Sequence, residues 1–155
     1  MPIDVSTEVN FIRSIANKLR GLYRSAKYKD VIIPMTIIRR FECALALTKT
    51  AVVAKFKDNP NFPVKAMQCI SGFQFYNTSE FDLAKLVNDA DRIAYNFKNY
   101  LQGFSVNVLK ILMSKEHDLN FGEKIDKMDK NNRLLSVVKA FSELDLNPCT
   151  IDIHL

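Results

Sequence analysis

Apolar side chains recur along this chain mostly at three- and four-residue spacing, which is the period of helices with one buried face. The first predicted helix opens after Ser6 or Thr7 as N-cap and carries Phe11, Ile12, Ile15, Ala16 and Leu19 on one face. Gly21 supplies its stop. A second, long helix is predicted to begin at Pro34, where a missing N–H costs nothing in the first turn. Its seam is Ile38, Phe41, Leu45, Val52 and Phe56, with Ile37, Ala44 and Leu47 on a second face, so it is expected at the centre of the core. Asp58-Asn59-Pro60 ends it, because proline cannot continue the ladder.

Residues 58–79 break the pattern with two prolines, Gly72 and the aromatic run Phe73-Gln74-Phe75-Tyr76, and read as a long loop holding one helical turn. Ser79 with Asp82 has the spacing of a capping-box variant and opens a short helix through Leu83, Leu86 and Val87. Ile93, Ala94, Phe97, Tyr100, Leu101 and Phe104 give the cleanest helical period, ending near Gly103. Ser105 caps a helix with Val108, Leu109 and Leu112, a weaker one follows with Phe121, Ile125 and Met128, and a last one carries Leu134, Leu135, Val138, Phe141 and Leu144 before Asn147-Pro148. The expected fold is all-α, an irregular bundle of about six to eight helices with one long loop around residues 58–79. At 155 residues the chain can bury a core of its own. With no repeat or composition shift, residues 1–148 read as one domain and 149–155 as the start of a connection.

Composition narrows the chemistry. No stretch approaches the roughly 18 apolar residues of a membrane span, and Met1-Pro2-Ile3-Asp4-Val5 lacks a signal-peptide layout, so a cytoplasmic protein is expected. Cys43, Cys69 and Cys149 are odd in number and scattered, which predicts reduced, mostly buried thiols. His117 and His154 belong to no His-Glu-x-x-His pattern and no Cys-x-x-Cys pair is present, so no metal site is expected.

Glycines at 21, 72, 103 and 122 are too dispersed to make a loop that brings backbone against a cofactor. No nucleophile and base pattern is present, and Asp89/Asp91 and Asp126/Asp129 read as caps and solvated faces. Asn59-Pro60-Asn61-Phe62 and Asn147-Pro148-Cys149-Thr150 superficially match the loop that holds a flipped adenine, but each reads as a helix-ending turn. Catalytic, cofactor-binding and metal-ligating residues are therefore expected to be absent from this chain.

Charge adds a direction. The net charge of +5 equals the excess of the first forty residues alone, where Arg13, Lys18, Arg20, Arg24, Lys27, Lys29, Arg39 and Arg40 face three acidic side chains. Such asymmetry fits a surface facing a polyanion, and it equally fits a solvated basic face. Arg13, Arg20 and Arg24 would share a stripe if the first helix persisted past Gly21, and one of Arg39 and Arg40 can instead anchor a carboxylate such as Glu42 or Asp30. The aromatics Phe73, Phe75 and Tyr76 are either a partner contact or rings folded back onto the core.

Several blocks in order carry a resemblance. Residues 11–21, Phe-Ile-Arg-Ser-Ile-Ala-Asn-Lys-Leu-Arg-Gly, look like the opening helix of the modification subunits of type I restriction-modification DNA methyltransferases. Residues 28–43 resemble that family's apolar run, proline and helix with paired arginines. Asn77-Thr78-Ser79, Tyr100 to Ser105 with Asn107-Val108, and Val137-Val138-Lys139 with Phe141 follow in the family's order. The resemblance, over about residues 10–148, implies a helical N-terminal domain ahead of a catalytic domain that uses S-adenosylmethionine to methylate adenine N6. It implies double-stranded DNA, a specificity subunit, a second modification subunit and a restriction subunit as partners, with no membrane. The implied role is to help embrace DNA and assemble with the specificity subunit, without catalysis by this chain. The alternative is an interaction module that docks on the specificity subunit or catalytic domain without touching DNA.

Overall fold

The computed structural model describes residues 5–113 and 121–146, with side chains from residue 9 onward. Among them are nine α-helices: α1 (Val5–Leu19), α2 (Lys29–Leu45), α3 (Lys49–Asp58), α4 (Val64–Ser71), α5 (Leu83–Asn88), α6 (Ile93–Gln102), α7 (Val106–Leu112), α8 (Phe121–Lys130) and α9 (Leu134–Ser142). Two 3-10 turns, Ser25–Lys27 and Ala90–Arg92, join them, and no strand is present among the described residues. The fold is the all-α irregular bundle expected.

The helix count exceeds the expected range because the sequence pattern misplaced breaks. The helix expected over 34–56 starts earlier, at Lys29, so that Pro34 lies inside α2 rather than at its opening. It also breaks after Leu45, where the Thr48 hydroxyl lies 3.1 Å from the Ser71 carbonyl and a turn replaces the helical ladder. Leu47, expected on a second apolar face, sits on that turn and is 97% exposed. The region expected as a loop over 58–79 contains the two-turn α4, which ends at Gly72 with φ +81°, a left-handed value that side chains disfavour. Asp82, not Ser79, is the N-cap of α5, its Oδ1 accepting the Lys85 amide at 2.8 Å. Ser79 instead holds the preceding turn through the Phe81 amide. α8 closes on Asn132, whose φ of 57° lets the Arg133 amide reach back to the Met128 carbonyl at 2.8 Å.

The core forms around α9 rather than α2. Leu134, Val137, Val138 and Phe141 are buried, and α9 packs on α1, α2, α5, α6 and α8. Ile15 and Leu19 of α1, Met35 and Ile38 of α2, and Leu83 and Leu86 of α5 enter the same cluster, as do Phe97 and Leu101 of α6 and Phe121, Ile125 and Met128 of α8. Phe11 meets Phe141 edge-on at 5.0 Å, which locks the first helix to the last. The α3–α4 hairpin stands apart, with Val52 and Met67 buried outside that main cluster. The turn expected at Asn147-Pro148 and the connection expected from 149 lie outside the described residues.

Candidate functional site

The basic quarter is assembled differently from a helical stripe. α1 ends at Leu19, whose carbonyl takes the Leu22 and Tyr23 amides at 3.1 Å, while Gly21 turns the chain at φ +84°. Arg13 therefore stays on α1, Arg20 leaves at its end, and Arg24 caps the 3-10 turn. These three do not share a helix face. Arg13, Arg20, Arg24, Lys27 and Lys29 are exposed, and Lys18 and Arg40 are half-buried. Lys27 lies 3.8 Å from the Asp30 carboxylate. Arg39 has a structural employment: its Nε donates to the Leu144 carbonyl at 2.7 Å and its Nη1 lies 3.7 Å from Glu42 Oε2, tying α2 to the end of α9.

A further cation joins this surface from a distant part of the chain. Lys127 of α8 places its Nζ 4.6 Å from the centre of the Tyr23 ring, and the Tyr23 hydroxyl donates to the Lys124 carbonyl at 3.4 Å. Partial burial raises the Tyr23 hydroxyl above its ordinary pKa. Residue counting by segment missed Lys127 because α8 is neutral overall in sequence, and only the α8 contact with Tyr23 shows where this lysine lies.

The aromatic run divides. Phe75 turns inward and lies 4.2 Å from Phe41, centre to centre, while Phe73 stacks on Phe75 at 5.1 Å and remains 41% exposed. Tyr76 is half-buried, and its backbone pairs with Ser105. Ser71 organises this loop from a buried position: its hydroxyl accepts the Phe73 amide at 3.2 Å and lies within 3.1 Å of the Phe73 and Phe75 carbonyls.

Beside the run lies a buried polar clasp whose members the sequence did not group with one another. Asn77 Nδ2 donates to the Tyr100 carbonyl at 2.9 Å, and its Oδ1 accepts from Lys49 Nζ at 2.8 Å and from the Ser79 amide at 2.7 Å. The Thr78 amide bonds the Gly103 carbonyl at 2.8 Å. Gly103 is required for space, since a Cβ there would stand 2.7 Å from the Ser79 nitrogen and 2.8 Å from Asn77 Oδ1. Glu42 completes the clasp, its Oε1 accepting the Leu83 amide at 2.9 Å at the start of α5. Its Oε2 is sealed from solvent and makes no hydrogen bond. Burial pushes the Glu42 carboxyl up to about 7, outweighing the Leu83 amide and the Arg39 charge. Burial likewise lowers Lys49 to about 8, against the pull of Glu42 and Asp82. Tyr100 is held well above its ordinary value, first by burial and then by the Glu42 and Asp82 carboxylates. Glu42, Lys49, Asn77, Asp82 and Tyr100 line a cleft of about 490 Å³ that holds side chains of both charges.

The family of HsdM N-terminal domains matches residues 9–141. The chain belongs to that family. Comparison with curated proteins and with solved structures gives no match. The HsdM N-terminal domain is the non-catalytic opening domain of the modification subunit of type I restriction-modification methyltransferases. The matched span runs from α1 into the last turn of α9, and three of the five sequence blocks that resembled the family contribute to its clasp: Glu42 from one block, Asn77-Thr78-Ser79 from another and Tyr100 to Ser105 from a third.

The remaining candidates of this HsdM domain have structural places. Asn59 ends α3, and its Oδ1 accepts the Asn61 amide at 3.1 Å, so Asn59-Pro60-Asn61-Phe62 is a turn. Asp89 follows α5 and accepts from Asn96 at 2.9 Å, and Asp126 meets Lys98 at 2.6 Å. Cys43 is half-buried, but Cys69 is exposed on α4, against the expectation of mostly buried thiols: only two residues of that short peripheral helix reach the interior. Cys149, His117, His154 and the Asn147 turn lie outside the described residues. Among the described residues no three His, Cys, Asp or Glu side chains are grouped to hold a metal ion, and no helix is long and apolar enough to cross a membrane.

Proposed function

We propose that this domain helps the modification subunit close around duplex DNA and assemble with the specificity subunit, within a cytoplasmic complex that also holds a second modification subunit and a restriction subunit. Transfer of methyl groups from S-adenosylmethionine to adenine N6 belongs, on this reading, to the catalytic domain of the full-length protein. The observation that carries it is the exposed basic run Arg13, Arg20, Arg24, Lys27 and Lys29, extended by Lys127, in a chain of the HsdM family. Contacts of this kind neutralise phosphates and release counterions without reading sequence.

The test is a salt titration of binding to a labelled duplex of arbitrary sequence, alongside the triple variant Arg13→Gln, Arg20→Gln, Arg24→Gln. A slope of roughly −3 to −4, with affinity falling on the order of a hundredfold between about 50 and 200 mM salt, is expected, and the variant should flatten it. Absence of binding at low salt would overturn the DNA reading. A second reading, an interaction module without DNA contact, draws support from the exposed ring of Phe73. Under that reading Phe73→Ala weakens assembly with the specificity subunit while the fold persists.

A further inference from the structure

We infer that the groove between α3 and residues 80–85 docks an acidic amphipathic segment of a partner protein. The groove, of about 520 Å³, is lined by none of the basic residues of the first quarter. One side is a helical stripe of α3, Thr50, Val53, Ala54 and Lys57, whose spacing is that of a single face. Phe81 joins Val53 and Ala54 as apolar lining, while Lys57 and Lys85 line it as exposed cations.

The chain's own Glu80 demonstrates the recognition chemistry. Its carboxylate pairs with Lys57 across the groove, and its carbonyl accepts from Lys85 Nζ at 3.0 Å. Both side chains of the Lys57–Glu80 pair are 63% exposed, so water screens it and a partner carboxylate can displace it. Lys49 is recessed on Asn77, which leaves Lys57 and Lys85 as the outward cations. Phosphate backbone would use these lysines but gains nothing from Val53, Ala54 and Phe81. A segment with aliphatic residues at helical spacing and flanking carboxylates uses both. α3 has ten residues, about 15 Å of helix, which sets the length of a matching segment at roughly three turns.

The experiment is selection of a randomised peptide library, roughly 16 residues long, on the intact chain, followed by affinity measurement of the enriched peptides. Enriched sequences are expected to combine Asp or Glu with helically spaced aliphatics. Their affinity should fall at least about tenfold on Lys57→Glu, on Val53→Asp and on the exposed-site variant Ala54→Glu, each checked for retained helicity. It should rise severalfold on Glu80→Gln, which frees Lys57. Failure to enrich any peptide, enrichment of non-acidic peptides, or binding indifferent to these groove variants overturns the inference. Displacement of peptide by duplex DNA, with DNA binding unaffected by Val53→Asp and Ala54→Glu, would overturn it in favour of a phosphate surface.

Discussion

At the scale of single residues, two buried ionisable groups are held away from their ordinary behaviour in opposite directions. Glu42 rises to about 7 from 4.5 because its carboxylate is desolvated more than Arg39 and the Leu83 amide compensate. Its folded form therefore binds a proton more tightly than its unfolded form, so its contribution is most favourable below pH 4.5 and is lost as pH rises through about 7. The loss is on the order of 3 kcal/mol. Lys49, lowered to about 8, acts in the other sense: its charged form is disfavoured in the fold, and stability returns as pH rises from about 8 towards 10.5. Urea denaturation across pH should show the wild type least stabilised by this pair between about 7 and 8. Glu42→Gln, which keeps an acceptor for Leu83, should remove the fall between pH 4.5 and 7, and persistence of that fall would place its source elsewhere. Gly103→Ala should cost about 1–3 kcal/mol through overpacking against Ser79 and Asn77, read as a shift of the denaturation midpoint with unchanged slope. Phe75→Ala should cost about 2–3 kcal/mol because it empties the contact with Phe41, whereas Phe73→Ala should stay within about 0.5 kcal/mol.

At the scale of elements, legibility followed locality. The seams of α6, α8 and α9 were readable because each helix buries a regular stripe, down to Phe97, Phe121, Ile125 and Phe141. The break between α2 and α3 was not, since residues 46–48 contain neither glycine nor proline and the turn is held by Thr48 against Ser71, 23 residues away. Pro34 drew the predicted start of α2 to itself, while the helix begins five residues earlier, where Val31 gains burial. The N-cap of α5 went to the wrong partner because Ser79 and Asp82 both suit a cap, and only the Lys85 amide decides between them. Asp82→Ala should accordingly cost about 1 kcal/mol, whereas Ser79→Ala should leave the α5 amides protected in hydrogen exchange. Equal loss of protection in both variants would contradict this assignment.

At the scale of the whole molecule, the charge excess of the first quarter could be counted from the sequence, but its composition as a surface could not. Lys127 reaches Tyr23 only because α8 folds against the turn after α1. The clasp of Glu42, Lys49, Asn77 and Tyr100 was likewise invisible, because no spacing rule links residues brought together from four separate segments. If the basic surface meets DNA, adding Lys127→Gln to the triple arginine variant should lower the magnitude of the salt slope by roughly one more unit. An unchanged slope would remove Lys127 from that surface.

Arg39 holds the Leu144 carbonyl across 105 residues of chain, and Phe11 waits for Phe141. A ribosome adding about 5–20 residues per second needs on the order of 5–20 seconds to cover the interval from Arg39 to Leu144. For most of that time α1 and α2 have been synthesised without α9, a helix on which both pack. The newborn domain therefore passes through an interval of exposed apolar surface whose length is set by translation speed, and its yield in a cell should respond to slow codons and to holdase chaperones more than its equilibrium stability would suggest.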